Sequence, residues 1–132
     1  MVAGLIVLVE HDAIFAARPV TIAIQAAAVV LMIYARVTFG RRSFHPAADP
    51  TAGGLVTSGP YAVLRHPIYA AVLYFTWAAV ADHWSWIAAG GGALITLGAI
   101  VRMLMEERML VTQYPEYRDY MRRTRRVVPY VV

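Results

Sequence analysis

The chain has 132 residues, enough for one domain, and 60% of them are hydrophobic while only 15% are charged. Because a soluble domain carries about 25% charged residues, this composition excludes an ordinary soluble protein and indicates an integral membrane protein, as does the mean hydropathy of +0.56. The absence of cysteine excludes disulfides and thiolate metal sites. All twelve basic residues are arginines, and they lie at the ends of apolar segments. This placement favours membrane lipids with anionic headgroups as partners rather than nucleic acid.

Four apolar segments follow one another along the chain. A helix needs about 20 apolar residues to cross the hydrocarbon core of a bilayer. The first segment is too short for this by itself, and the last two form a hairpin around a four-residue turn. We therefore predict an all-α, multi-pass transmembrane helical bundle with three to four spanning segments. The segments comprise residues 2–9, 19–35, 67–81 and 86–105.

Polar stretches divide the single membrane domain, residues 1–132, into four parts. Residues 1–36 hold the N-terminal membrane segments and 67–105 the transmembrane hairpin. Between them, residues 37–66 form a connection whose prolines and glycines argue against regular structure. The tail, residues 106–132, contains a short helix followed by an arginine cluster that we expect to meet anionic headgroups. Three tyrosines at a spacing of three residues, typical of an interface-anchoring face, are Tyr114, Tyr117 and Tyr120.

Arginines are distributed unevenly between the two ends of these segments. The connection, counted with Arg36, holds four, and Arg102 with the tail holds seven, whereas the hairpin turn holds none. By the positive-inside rule the connection and the tail are cytoplasmic and the turn faces out. We therefore expect a protein of the cell (inner) membrane with its C-terminal helix in the cytoplasm. Three helices make a thin membrane fold, which is compatible with a homodimer.

Charged and aromatic side chains gather where the two ends of the hairpin must meet. Because the turn is short, we expect the residues around the start of the first hairpin helix to lie near those at the end of the second. Ionisable groups at the ends of membrane-length segments are functional candidates by default. Arginines, carboxylates, an imidazole and a phenol together can bind a zwitterion. This polar cluster comprises Arg65, His66, Tyr69, Arg102, Glu106 and Glu107.

Structural explanations of the same residues stand beside the functional one. Arg102 and Glu106 are spaced i, i+4 and could form a plain surface ion pair. His66 and Pro67 could simply mark a helix start, since proline favours the first turn and restricts the residue before it. The other histidines show no metal-ligand spacing, and we predict no metal. They are His11, His45 and His83.

The order of these motifs resembles the isoprenylcysteine carboxyl methyltransferase family and the related phospholipid methyltransferases. The resemblance covers about residues 36–129. It implies an all-helical integral membrane enzyme that uses S-adenosyl-L-methionine and releases S-adenosyl-L-homocysteine. The matching stretches are Gly-Leu-Val-Thr-Ser-Gly-Pro-Tyr at 54–61, Arg-His-Pro-Ile-Tyr at 65–69, Glu-Glu at 106–107 and Tyr-Pro-Glu-Tyr at 114–117.

The resemblance also implies roles for individual residues. Arg102 matches the arginine linked to the methyl acceptor, and Glu107 is the second acid of the pair; both are candidate catalytic residues. Two departures from the family concern Ala71, where the family often has glycine, and the short N-terminal region, which usually helps form the acceptor pocket. The candidate cofactor-binding residues, with Arg65 added from the polar cluster, are Leu55, Val56, Tyr61, Arg65, His66, Pro67, Ile68, Tyr69 and Glu106.

Three functions are compatible with this pattern. The first is S-adenosylmethionine-dependent O-methylation of a carboxylate on a lipophilic acceptor, as in isoprenylcysteine carboxyl methyltransferases. The second is N-methylation of a phospholipid or small amine, for which Glu107 or His66 could take the proton. The third belongs to a different class: a catalytically silent membrane subunit that keeps the fold for assembly.

Overall fold

The computed structural model describes residues 1–40 and 54–129 of the chain. Within these residues the protein is helical, and its only strand-like pairing is one parallel bridge between Leu64 and Arg125, so the predicted all-α class is confirmed. Those predicted features of the connection that fall on residues 41–53, including Arg41, Arg42 and His45, lie outside the described residues. The helices are α1 (Val2–Glu10), α2 (Pro19–Phe39), α3 (Pro67–Asp82), α4 (Trp86–Gln113) and α5 (Tyr117–Arg123), with a short 3-10 helix at Gly59–Ala62.

The predicted segments match the helices at their starts better than at their ends. Both α2 and α3 begin with a proline in the first turn, where its missing N–H leaves no hydrogen bond unmade. Helix α2 continues to Phe39 and stops at Gly40, whose φ of +72° suits glycine. Helix α4 continues through residues 106–113, which we had assigned to the tail. Both acidic residues of the polar cluster are therefore held rigidly on a helix.

Two helices, α2 with 21 residues and α4 with 28, are long and apolar enough to cross a membrane. Only 17% of the most apolar stretch of α2 and 33% of that of α4 are buried within the protein. A core helix of a soluble protein would be covered more fully, so these exposed apolar faces suit a lipid environment. Helix α3 has 16 residues and is shorter than a full span.

The helices pack as two antiparallel pairs joined through the α3–α4 hairpin. Helix α2 packs along α3, and α1 packs along α4. We call the end of the bundle near residues 83–85 the turn end, and the opposite end, where α2 finishes and α3 begins, the site end. Helix α1 runs from the middle of α4 to the turn end, because Met1 contacts Gly98 while Gly4 contacts Gly91.

Glycines on α4 allow its neighbours to approach closely. A Cβ atom on Gly91 would lie 3.1 Å from the carbonyl oxygen of Gly4 in α1. A Cβ atom on Gly92 would lie 3.1 Å from Val80 in α3. Gly90 is the exception, since a Cβ atom there would meet open space. Small residues at helix contacts are the usual means of association in membranes, and here they let α1 and α3 pack closely on two different faces of α4.

Asp82 ties the start of α2 to the end of α3 at the turn end. Its carboxylate accepts hydrogen bonds from the backbone N–H groups of Ala17 and Arg18 and from the Thr21 hydroxyl. The Arg18 guanidinium lies 2.9 Å from the same carboxylate. A negative charge at a helix N-terminus satisfies N–H groups that have no partner within the helix. Asp82 thus does for α2 what a local capping residue would do.

We expect Asp82→Asn to lower the unfolding temperature of the purified protein by about 5 °C, because the amide keeps the shape but loses the charge at the start of α2. Thermal unfolding followed by tryptophan fluorescence in detergent would measure this. Asp119→Asn, at an exposed position on α5, is the matched control and should unfold like the wild type. Equal unfolding temperatures for all three proteins would remove Asp82 from this role.

Candidate active site

Glu107 is the centre of the polar cluster at the site end. It is buried, and its carboxylate is 2.9 Å from the Arg65 Nε and 2.9 Å from an Arg126 terminal nitrogen. The Nε2 atom of His66 lies 3.3 Å from the same carboxylate. One buried negative charge therefore meets three basic side chains from two distant parts of the chain. Such an arrangement is stable only because every partner is present, since an unpaired charge at this depth would be strongly unfavourable.

Arg65 uses its guanidinium to join α4 to the tail. Besides Glu107, it donates to the backbone carbonyls of Met121 and Thr124, at 2.9 and 2.5 Å. Its side chain is 9% exposed. These contacts make Arg65 a structural link between the start of α3 and the residues after α5. Its predicted contact with the cofactor remains a prediction.

Glu106, one residue earlier on α4, has a different environment. Its carboxylate accepts a hydrogen bond from the Tyr69 hydroxyl and lies 3.7 Å from the Nδ1 atom of His66. Its side chain is 21% exposed, against 6% for Glu107. No arginine contacts it directly among the described residues, so it is the carboxylate of the pair that a positively charged ligand can reach.

Tyr69 joins Glu106 to Arg102. The Arg102 Nε donates to the Tyr69 hydroxyl at 3.0 Å, and that hydroxyl in turn donates to Glu106. Arg102 is exposed. A chain of contacts through a phenol therefore takes the place of the plain i, i+4 ion pair between Arg102 and Glu106. Within residues 1–40 and 54–129, this chain uses only the Nε atom of the guanidinium.

His66 stands between the two glutamates. One ring nitrogen faces Glu106 and the other faces Glu107. The ring is buried, and the His66 backbone precedes the first residue of α3, Pro67. A histidine between a saturated carboxylate and an accessible one couples their positions: whatever fixes Glu107 also fixes the ring beside Glu106.

The residues after α5 form part of the site, which we had not predicted. The backbone N–H groups of Arg65 and His66 donate to the carbonyls of Arg125 and Arg126, at 2.6 and 3.1 Å. The Arg125 N–H donates back to Val63. We call residues 124–127 the tail segment. It lies against residues 63–66 as a short parallel strand would, although neither partner extends into a sheet.

Two tail tyrosines that we expected at the membrane interface are instead buried. Tyr117 and Tyr120 are 2% and 5% exposed, and the Tyr120 hydroxyl donates to the Tyr61 carbonyl at 2.6 Å. Burial raises the pKa of Tyr120 to about 12, so the phenol stays protonated and can donate. The interpretation of these tyrosines as an anchoring face was wrong because the face packs on the 3-10 helix rather than on lipid.

The remaining predicted residues lie around the cluster in different ways. Tyr61 is buried beneath it, with its ring 5.5 Å from that of Phe39 in α2. Leu55 and Val56 lie half-buried in the extended stretch before the 3-10 helix, and their contact with a cofactor remains a prediction, as does that of Pro67 and Ile68 at the start of α3. The buried Ala71 methyl is accommodated within the bundle.

Arg126 is the site residue that the sequence did not single out. We predicted that its arginine cluster meets headgroups, yet the Arg126 guanidinium donates to both oxygens of Glu107. The hydrogen bond with Glu107 is also the main reason that the pKa of Arg126 is raised. The one signal available was its place at the end of the stretch that resembles the methyltransferases, after α5.

The fold and the cluster define a helical membrane protein whose ionisable site lies at one end of a helical hairpin. A model of the phospholipid methyltransferase family matches residues 13–117, which include α2, α3, α4 and both glutamates. The chain belongs to this family of membrane methyltransferases. The comparison with curated proteins and the comparison with solved structures each return no significant match.

Proposed function

We propose that the chain transfers the methyl group of S-adenosylmethionine to a lipophilic acceptor in the membrane. The observation that carries this proposal is the contrast between the two glutamates. Glu107 is saturated by basic side chains, whereas Glu106 keeps solvent access beside His66 and Tyr69. An accessible carboxylate next to an imidazole and a phenol suits the ammonium or ribose hydroxyls of the cofactor.

The cofactor would supply an electrophilic methyl group on a sulfonium. The S–CH₃ bond breaks as the bond to the acceptor forms, and its electron pair stays on sulfur. The protein's part in such a displacement is to position and desolvate the reactants. Here Glu106 would hold the cofactor, while Glu107 and Arg65, which are closed off by the tail segment, keep His66 and the start of α3 in place.

Arg102 supports a carboxylate as the acceptor. Its exposed guanidinium contacts Tyr69 through Nε, so its remaining nitrogens can pair with a carboxylate in the two-pronged manner typical of arginine. A carboxylate acceptor needs no base. Glu107, bonded to three basic groups, is poorly placed to accept a proton. Carboxylate O-methylation, as in isoprenylcysteine carboxyl methyltransferases, is therefore our first candidate.

Phospholipid N-methylation is the second candidate, because the family that matches the chain is the phospholipid methyltransferase family. Arg102 could then pair with the phosphate of a headgroup. Labelled methyl transfer into membrane lipid extracts separates the two reactions. A base-labile methyl ester supports O-methylation, whereas a base-stable methylamine supports N-methylation.

A thermal-shift titration with S-adenosylmethionine and S-adenosylhomocysteine tests the enzyme against the silent-subunit alternative. A ligand that binds only the folded state stabilises it increasingly with concentration, by about 2.7 kcal/mol at a hundred times its dissociation constant. We expect stabilisation by both compounds, and by adenosine only weakly because it lacks the ammonium group. An unfolding temperature that no concentration of either compound raises would favour the silent subunit.

The arginine distribution carries our proposal for location and partners. Arg36, Arg65 and the arginines of the tail lie at the site end, whereas Arg18 lies at the turn end. By the positive-inside rule the site end faces the cytoplasm of a cell whose inner membrane the helices span. The acceptor would enter from the bilayer. The exposed apolar faces of α2 and α4 are compatible with lipid or with a second copy in a homodimer.

A further inference from the structure

The tail segment lies beyond the part of the chain that the family model matches, which ends at residue 117. It nevertheless supplies the third basic partner of Glu107. The Arg126 Nε lies 3.2 Å from each of the two carboxylate oxygens, and a terminal nitrogen of the same guanidinium lies 2.9 Å from one of them. Its own side chain is 38% exposed, whereas Glu107 is 6% exposed. Arg126 therefore covers Glu107 from outside while the other two partners hold it from within.

Four further hydrogen bonds hold the tail segment in this position. Its backbone accepts hydrogen bonds from the N–H groups of Arg65 and His66, the residues that contact Glu107. The Tyr74 hydroxyl of α3 donates to the carbonyl of Val127. The Thr124 hydroxyl, which is buried, donates to the Tyr120 carbonyl at 2.7 Å and fixes the exit from α5.

These contacts converge on His66 from two directions. The tail segment fixes the His66 backbone through its N–H group and fixes the His66 ring through Glu107. The other ring nitrogen lies 3.7 Å from the Glu106 carboxylate, so the tail segment reaches the surroundings of the accessible carboxylate without touching it. Partners one step removed from a binding group commonly set its orientation in this way.

We propose that Arg126 is a positioning residue, which, with the tail segment, locks Glu107 and His66 so that Glu106 is set for the cofactor. Only the statement that Glu106 is set for the cofactor rests on the proposed function. The locking itself is a property of the ligand-free protein. Arg126 would not touch the reacting atoms, and its effect would pass through Glu107.

The test compares Arg126→Gln, Arg126→Lys and the control Arg122→Gln in the full chain in detergent or nanodiscs. Arg122 lies on α5 with its side chain 78% exposed, and its ion pair with Asp119, at 3.5 Å, is also exposed to solvent. Arg122→Gln should therefore leave the affinity unchanged. Isothermal titration with S-adenosylhomocysteine should show about tenfold weaker binding for Arg126→Gln. Arg126→Lys, which keeps the charge, should recover part of the affinity. Binding of Arg126→Gln equal to that of the wild type would overturn the proposal.

A double-mutant comparison separates positioning from general destabilisation. If Arg126 acts through Glu107, Arg126→Gln should have little further effect on affinity in a Glu107→Gln background. Equal losses in both backgrounds contradict that route. Should Arg126→Gln not yield folded protein, Tyr74→Phe decides by the same titration, because it loosens the tail segment by one hydrogen bond without changing any charge. An unchanged affinity for folded Tyr74→Phe would then count against the proposal.

Hydrogen exchange in the ligand-free protein makes the outcome independent of the cofactor. In the wild type the N–H groups of Arg65 and His66 are bonded to the tail segment and should exchange slowly. Arg126→Gln should speed their exchange by about tenfold, and Arg122→Gln should not. Faster exchange without any binding by the wild type supports the locking and refutes the proposed cofactor. Unchanged exchange refutes the locking, whatever the wild type binds.

Discussion

Glu106→Gln is expected to weaken the binding of S-adenosylmethionine by about ten- to a hundredfold while leaving the protein folded. The amide has the shape of the carboxylate and can still accept the hydrogen bond of the Tyr69 hydroxyl, but it lacks the charge that an ammonium group needs. A hydrogen bond to a charged group contributes about 1.5–3 kcal/mol, and each 1.4 kcal/mol is a factor of ten in affinity. Isothermal titration in detergent would measure the loss.

Glu116→Gln is the matched control for this prediction. Glu116 is exposed, just before α5, so its neutralisation should leave cofactor affinity unchanged. The unfolding temperature of ligand-free Glu106→Gln should lie close to that of the wild type. No arginine of the described residues contacts this carboxylate, so the substitution leaves no arginine without its partner. A variant that binds the cofactor as tightly as the wild type would show that the accessible carboxylate is not the binding group.

In contrast to Glu106→Gln, Glu107→Gln should destabilise the ligand-free protein by about 3–5 kcal/mol, the range for one partner removed from a buried charge pair. The buried Arg65 would keep its two backbone carbonyls but lose its anion. Arg126 would face one neutral acceptor oxygen in place of the two charged ones. The unfolding transition, followed by the fluorescence of Trp77, Trp84 and Trp86, would move to a much lower temperature than that of Glu106→Gln.

The same pair of variants tests the catalytic role that the sequence predicts for Glu107. If Glu107 acts mainly as a proton acceptor, Glu107→Gln should unfold like the wild type, bind S-adenosylhomocysteine normally and lose only methyl transfer. That result would favour the amine acceptor and the second candidate function. A large loss of stability, with the cofactor affinity weakened alongside it, would favour the supporting role that the contacts indicate.

The helices, and the proximity of the residues of the polar cluster, could be predicted because both depend on local features of the sequence. Apolar length and a proline in the first turn predict α2 and α3, and a four-residue turn requires Tyr69 and Glu106 to be neighbours. The end of α4 could not be placed in this way. Residues 106–113 are polar enough to resemble a tail, yet they continue the helix, and the ion pairs of the buried Glu107 hold this part of α4 against the start of α3.

The division of labour between the two glutamates could not be predicted either. Consecutive residues on a helix point about 100° apart, so Glu106 and Glu107 must face different surroundings, but the sequence does not show which side the tail will cover. Arg126 lies far along the chain from Arg65 and His66, and its contact with Glu107 depends on how α5 turns. The buried face of Tyr117 and Tyr120 has the same spacing as an interfacial face, and only packing distinguishes the two.

The pairing of residues 63–66 with the tail segment has a consequence for biosynthesis. Residues 63–66 are synthesised before α3, α4 and α5, whereas their partners Arg125 and Arg126 are synthesised after all three. The ion pairs around Glu107 can therefore be completed only after the long apolar helices have been made. A chain truncated after Gln113 should still form the α3–α4 hairpin, but its Glu107 would lack the basic partner that Arg126 provides. Closure of the network around Glu107 thus follows the synthesis of the hairpin and does not accompany it.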